Sequence, residues 1–256
     1  MPGTGIMPGA EPFSADGEPV GVLLVHGFTG TPQSLRPWAE YLAAAGLTVR
    51  LPRLPGHGTK WSDLNRTTWE DWYGEAERGL DELHERCAAV FAMGLSMGGT
   101  VVLRLAERRG ADLAGVVVVN PSVLTLRKDA KLLPLFRLLV PSFPGIASDI
   151  KKPGSVELAY DRTPLRGAYS LSRLWRLVRA DLASVTLPLL LITSRDDHVV
   201  EPKNGEVVWA GISSSDRRRL VLDNSYHVAT LDNDAETIFT ESLAFVRDQV
   251  ATRPAG

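Results

Sequence analysis

A doubly wound, mostly parallel α/β sheet carrying a small inserted cap is the architecture this chain predicts, and three observations predict it. Continuous apolar runs rich in Val, Leu and Ile recur at 22–25, 115–119 and 187–193, and runs without polar alternation mark strands buried on both faces. Helix-patterned stretches separate them, and strand–helix alternation builds a parallel sheet with helices on both sides. Several runs open into Gly-rich loops, which in such sheets gather functional groups at the carboxyl ends of the strands.

In order, the run 22–25 ends in His26-Gly27-Phe28-Thr29-Gly30, a strand opening into a loop. Thr31-Pro32 starts a helix through 45, with Leu35, Trp38, Ala39 and Leu42 on one face and Gly46 as its stop. A strand at 47–51 meets Pro52 to Gly58, too rich in Pro and Gly to continue it, and 67–86 reads as the next helix. The segment 90–99 reads as strand, sharp turn and helix start, with the helix continuing over 100–109. Residues 115–120 give a central strand, after which the rhythm breaks. From 121 to 186, Pro134, Pro141, Pro144, Pro153 and Pro164 interrupt short helix-prone pieces, which marks an insertion within a single domain spanning 1–256. The core pattern resumes at 187–193, a last strand lies at 220–222, and 235–250 closes the sheet as an amphipathic helix.

Chemistry concentrates on Gly94-Leu95-Ser96-Met97-Gly98. Small residues two positions either side of Ser96 permit a strained turn that lifts its hydroxyl above the sheet. A serine hydroxyl is a weak nucleophile and needs a base and a carboxylate to orient that base. Of five histidines, His84 lies inside a charged helix, His57 shapes a tight loop, His26 supports the loop after the first strand, and His198 follows the acid loop. His227, just beyond the last strand, is the well-placed base. The acid belongs after the strand ending at Thr193, where Asp196 and Asp197 stand side by side; chain order alone does not choose between them. An oxyanion needs preorganised N–H donors, expected from the backbone of Met97 and of Phe28.

With Pro55-Gly56-His57-Gly58, Asp197-His198-Val199-Val200 and 224–232 added to these motifs, the chain resembles the α/β-hydrolases, and within them the small bacterial carboxylesterases and monoacylglycerol lipases, over about 19–250. The resemblance implies ester hydrolysis through an acyl-serine, with Ser96 as nucleophile, His227 as base, Phe28 and Met97 at the oxyanion positions, and neither metal nor organic cofactor. It favours Asp197 over Asp196, because in that family the acid directly precedes an x-Val-Val segment. The cap is expected to cover Ser96 with an apolar inner face, Leu132, Leu133, Leu135, Phe136, Leu138, Leu139, Phe143 and Ile146 lining an acyl tunnel; Ile146 and Glu157 are the candidate substrate contacts, Glu157 toward a polar alcohol such as glycerol. The rival readings are cleavage of an amide or C–C bond and a silent binding protein on the same fold.

Composition narrows the partners. A net charge of −2 gives no general attraction to nucleic acid, and the Arg217–Arg219 triplet reads as a solvated strand entrance. No apolar run is long enough to span a bilayer, which leaves transient contact of the cap with a lipid surface. The lone Cys87 has no internal disulfide partner, and the Gly- and Pro-rich stretch 1–18 lacks the basic and apolar regions of a signal peptide, so a cytoplasmic location is the expectation. Nothing in the composition fixes an oligomeric state.

Overall fold

Hydrophobic runs that lack alternation need cover on both faces, and the fold supplies it. The computed structural model describes residues 5–145 and 148–252. Along them run β1 (Phe13–Ala15), β2 (Glu18–Val25), α1 (Arg36–Ala44), β3 (Leu47–Leu51), α2 (Trp61–Leu64), α3 (Trp69–His84), β4 (Ala89–Leu95), α4 (Met97–Arg109), β5 (Gly115–Val119), α5 (Leu133–Leu139), β6 (Ser142–Pro144), β7 (Arg162–Pro164), α6 (Leu165–Asp181), β8 (Leu189–Ser194), α7 (Lys203–Gly211), β9 (Arg217–Leu222) and α8 (Ala235–Ala251). Seven strands form one sheet in the order β1-β3-β2-β4-β5-β8-β9, parallel throughout except where β1 meets β3.

Successive strand residues point to opposite faces. Leu23, Val25, Val90, Ala92, Val116, Val118, Leu189 and Leu191 join the core beneath α3, α4 and α6. Their neighbours Val22, Leu24, Phe91, Met93, Val117, Val119, Leu190 and Ile192 join the one beneath α1 and α8, with Trp38, Leu42 and Phe245. Each such side chain, fully buried, contributes about 1.5–3 kcal/mol. The two cores fix the strand register, and the register fixes which loops meet at the carboxyl edge. The edge strand β9 is half solvated, and Arg217 to Arg219 form its entrance as expected.

Segment 121–186 is not uniform. Its last helix, α6, buries Leu165, Leu171, Leu174 and Val178 and lies with α3 and α4, so it is part of the core layer. The cap proper begins after β5 and ends with the small antiparallel pair β6–β7. The expected apolar inner face of α5 is not what forms: none of its residues is buried, and Leu135, Leu138 and Leu139 are 56%, 66% and 71% exposed. The reason is a shortage of cover. This seven-residue helix packs against α6, where the Arg137 guanidinium lies 4.0 Å from the Tyr169 ring centroid, and Phe136 meets Phe143 edge-on at 5.9 Å, which leaves its leucines without cover among the described residues. Ile146, assigned to the acyl tunnel, lies outside the described residues.

A different stretch of the cap reaches the loops around Ser96. Residues 148–160 form a strap fastened largely through main-chain groups. The Lys151 and Lys152 N–H groups donate to the buried Asp232 carboxylate at 2.7 and 2.8 Å. Gln33 brackets the strap from below, donating to Val156 O at 3.1 Å and accepting from Leu158 N at 2.9 Å. At its far end Tyr160 N donates to Thr29 O, and the Tyr160 hydroxyl donates to Gly56 O at 2.8 Å.

Candidate active site

The turn between β4 and α4 holds Ser96 at φ 57°, ψ −120°, a left-handed conformation that costs a non-glycine residue about 1–3 kcal/mol. Sterics around it explain the flanking glycines. A Cβ on Gly98 would stand 1.8 Å from Val25 O, and one on Gly94 would stand 2.4 Å from the Gly98 carbonyl carbon. Only bare backbone lets α4 start this close to β2. Ser96 is thereby brought against Gly27, whose Cβ, if it had one, would lie 4.0 Å from Ser96 Oγ. The Ser96 N–H donates to Val119 O at 2.9 Å, tying the turn to the next strand.

The two N–H groups expected at the oxyanion position belong to the residues directly after Ser96 and after Gly27. Met97 is the first residue of α4, so its N–H has no partner within the helix, and Phe28 follows Gly27 in the facing loop. Neither donates to a protein acceptor among the described residues. Two buried imidazoles support the Phe28 loop. His26 Nδ1 donates to Gly27 O at 3.0 Å while its Nε2 accepts from Leu54 N at 3.1 Å, a pairing that requires the neutral ring. His57 lies edge-on to both His26 and Phe28. Burial pushes His26 down to about 4 and His57 well below its ordinary value, so both remain neutral at pH 7.

From the other side of the sheet come the acid and the base. His227 Nδ1 donates to Asp197 Oδ2 at 2.8 Å. A carboxylate only accepts, so the proton sits on Nδ1 and Nε2 carries the lone pair. The other Asp197 oxygen accepts from Val199 N at 2.9 Å and Val200 N at 2.7 Å, which fixes its plane. Asp196 points into solvent. Of the two adjacent aspartates, the structure brings Asp197 to His227. Burial lowers the His227 pKa, but the Asp197 charge and hydrogen bond outweigh it, and the pKa stands above the ordinary histidine value.

The His227 peptide is clamped as well as its ring. Its carbonyl accepts from Asn120 Nδ2 at 2.8 Å, and its N–H donates to Asp149 Oδ2 at 3.1 Å. Asn120, itself at φ 44°, also accepts from Ser194 N at 2.7 Å and so links the ends of β5 and β8 to the base loop. Neither residue stands out in the sequence. Asn120 ends a valine run at the carboxyl edge, which is a faint signal; Asp149 lies in an irregular Pro-rich stretch and gives none.

Glu157, on the strap, reaches the same place. Its Oε1 lies 2.6 Å from where a Gly30 Cβ would be, so Gly30 makes room for it. Burial raises its carboxyl to about 7, with His227 opposing. His84 is exposed on α3, far from this constellation in role, and His198 is bound to Asp149 instead. No group of three or more His, Cys, Asp or Glu among the described residues is arranged to hold a metal ion, and none of their helices is long and apolar enough to cross a membrane.

Comparison with known proteins gives the family and the fold. The family model described as serine aminopeptidase, S33, matches residues 19–234. The chain is 46% identical over 245 residues to a thermostable monoacylglycerol lipase of Bacillus sp. (strain H-257), covering 94% of this chain and 95% of that one. It is 26% identical to a carboxylesterase of Bacillus subtilis (strain 168), covering 92% and 96%. A solved structure from work on LipS and LipT, two metagenome-derived lipolytic enzymes, superimposes with a TM-score of 0.93 at 43% identity, over 95% of this chain and all of that one. The Paleococcus ferrophilus monoacylglycerol lipase shares the fold, with a TM-score of 0.78 at 19% identity over 93% and 99% of the two chains.

Proposed function

This chain belongs to the α/β-hydrolase family described as serine aminopeptidase, S33, and from that premise we propose that it hydrolyses carboxylic esters, monoacylglycerols foremost, through an acyl-serine intermediate. The observation that carries the reading is the buried Asp197–His227 pair at 2.8 Å, reached by the same edge of the sheet as the strained Ser96. In the cycle, His227 Nε2 takes the Ser96 proton as Oγ attacks the acyl carbon. The oxyanion forms against the Phe28 and Met97 N–H groups, whose contribution is several kcal/mol in sites of this kind. His227 then returns the proton to the departing alcohol, and water repeats the sequence on the acyl-enzyme. Incubation with an alkylphosphonate ester tests the assignment: intact mass should rise by one adduct per chain, mapped to Ser96. Labelling elsewhere, with Ser96 untouched, would reject it.

The glycerol half of the substrate is assigned to Glu157. Its carboxyl, raised to about 7, sits beside the base and accepts a glycerol hydroxyl when ionised. A hydrogen bond to a charged group contributes about 1.5–3 kcal/mol, equivalent to roughly 10- to 100-fold in rate. Glu157→Leu is therefore expected to lower kcat/KM for a monoacylglycerol by at least about tenfold while sparing the methyl ester of the same acid. Equal losses on both substrates would remove Glu157 from the alcohol site. The same carboxylate is suited to a free α-amino group, as an aminopeptidase needs, and turnover of aminoacyl p-nitroanilides exceeding that of esters would favour that second reading.

Contact with a lipid surface is assigned to the cap. The cap proper, residues 121–164, holds 7 Lys and Arg against 4 Asp and Glu, a segment charge of +3 in a chain of net −2, so the remainder carries −5. Exposed Leu132, Leu135, Leu138 and Leu139 lie in this basic segment. An anionic membrane complements both features. Sedimentation with phosphatidylglycerol vesicles should exceed that with phosphatidylcholine vesicles and fall with salt; equal partition would sink the electrostatic part.

A further inference from the structure

We propose that Asp149, on the cap strap, is a positioning residue that holds the base loop and the acid loop in register with each other and with the cap. The inference rests on the assignment of His227 as base. Four bonds converge on this one residue. Its Oδ2 accepts from His227 N at 3.1 Å and from His198 N at 3.2 Å, its Oδ1 accepts from His198 Nδ1 at 2.9 Å, and its own carbonyl accepts from Val228 N. His198 adjoins Asp197, so the two members of the hydrogen-bonded pair are each tied to Asp149 through their own loops.

The geometry leaves His227 little else to hold it from the cap side. Asn120 fixes its carbonyl from the sheet and Asp197 fixes its ring, but among the described residues its N–H is met only by Asp149. The Asp149 side chain is 11% exposed, so water competes poorly for these bonds. Eight residues further along the same strap stands Glu157, and between them Asp232 pins Lys151 and Lys152. One short, fastened segment thus carries a hold on the base at one end and the substrate-facing carboxylate at the other. A cap lifted from its seat would withdraw both together.

The charged and titratable groups around His227 are the carboxylates of Asp197, Glu157 and Asp149, with His198 bonded to Asp149 and the Lys151 ammonium 5.7 Å from the Tyr226 ring centroid. Asp149 supplies one of three negative charges that favour the imidazolium. Removing it should lower the pKa of the base as well as loosen its seat.

The test uses the full chain and p-nitrophenyl butyrate, an ester without glycerol. In Asp149→Asn, kcat is expected to fall about tenfold with KM within twofold of the parent, and the acid limb of kcat/KM to move to lower pH. Asp149→Glu keeps the charge and displaces the oxygens by about a bond length, so kcat should fall while the acid limb stays in place. A purely structural role would lower the melting midpoint and move neither kcat of the folded enzyme nor the limb. His198→Ala removes the Oδ1 bond but keeps the His198 and His227 N–H bonds to Oδ2, so kcat should fall less than in Asp149→Asn. The proposal is overturned if either folded Asp149 variant matches the parent in both kcat and acid limb, or if His198→Ala loses as much as Asp149→Asn. Should His227→Ala retain activity, the assignment of the base itself fails; inactive His227→Ala beside unaffected Asp149 variants defeats the present proposal alone.

Discussion

With Ser96 replaced by alanine, kcat for a short acyl ester is expected to fall by about 10⁴- to 10⁶-fold, the range seen when members of such triads are removed. His227→Ala should lose a similar amount, and the double variant should be no worse than the more damaged single one. Nucleophile and base act as a unit: without Nε2 the Ser96 proton has nowhere to go, and without Oγ the base has nothing to activate. Both variants should fold, since alanine creates no clash at the Ser96 turn and the His227 peptide stays clamped by Asn120 and Asp149. The parent also carries a signature in pH. The base works in its neutral form, and its pKa is raised, so kcat/KM should rise with pH through a value above 6.5 and level off beyond it. A kcat within a factor of a few of the parent in either variant would sink the triad as assigned, and a profile flat down to pH 5 would remove the histidine.

The second large effect belongs to Asp197. Asp197→Asn presents an amide to His227 Nδ1, and an N–H of that amide favours the tautomer with its proton on Nε2, where the lone pair is needed. The expected loss in kcat is about 10⁴-fold. Asp196→Asn, at a solvent-facing position one residue away, should stay within about twofold. The contrast is sharp because the two positions are chemically identical and differ only in direction. If Asp196→Asn were the damaging change, the acid would be misassigned by one residue.

Why Asp197 and not Asp196 was legible only by resemblance is a matter of local geometry. Both follow β8, and chain order constrains a loop, not a rotamer. What decides is that Asp197 folds back to accept the Val199 and Val200 N–H groups, aiming its other oxygen at His227. The central strands were readable because burial on both faces leaves an uninterrupted apolar signature, and the Ser96 turn because its glycines answer to sterics that any sequence must obey. Short elements escaped. β1 has three residues, and the β6–β7 pair is equally brief, too short for either periodicity to register. The apolar residues of α5 misled, since hydrophobicity shows that a surface seeks cover without saying that the fold provides it. Asn120 and Asp149 act through hydrogen bonds to main chain in distant loops, and such partners leave no pattern in the sequence around them.

The strap at 148–160 has a bearing on the redesign and divergence of this enzyme. At Lys151 and Lys152 it is gripped by main-chain N–H groups, at Val156 and Leu158 by main-chain groups again, and the gripping side chains, Asp232 and Gln33, belong to the body of the protein. The strap's own side chains between Lys151 and Val156 therefore contribute little to keeping it in place. Selection, natural or in the laboratory, is free to rewrite that stretch as a cassette while the anchors at Asp149, Asp232, Gln33 and Tyr160 are left alone. A library confined to 153–156 should retain a large share of folded, active members.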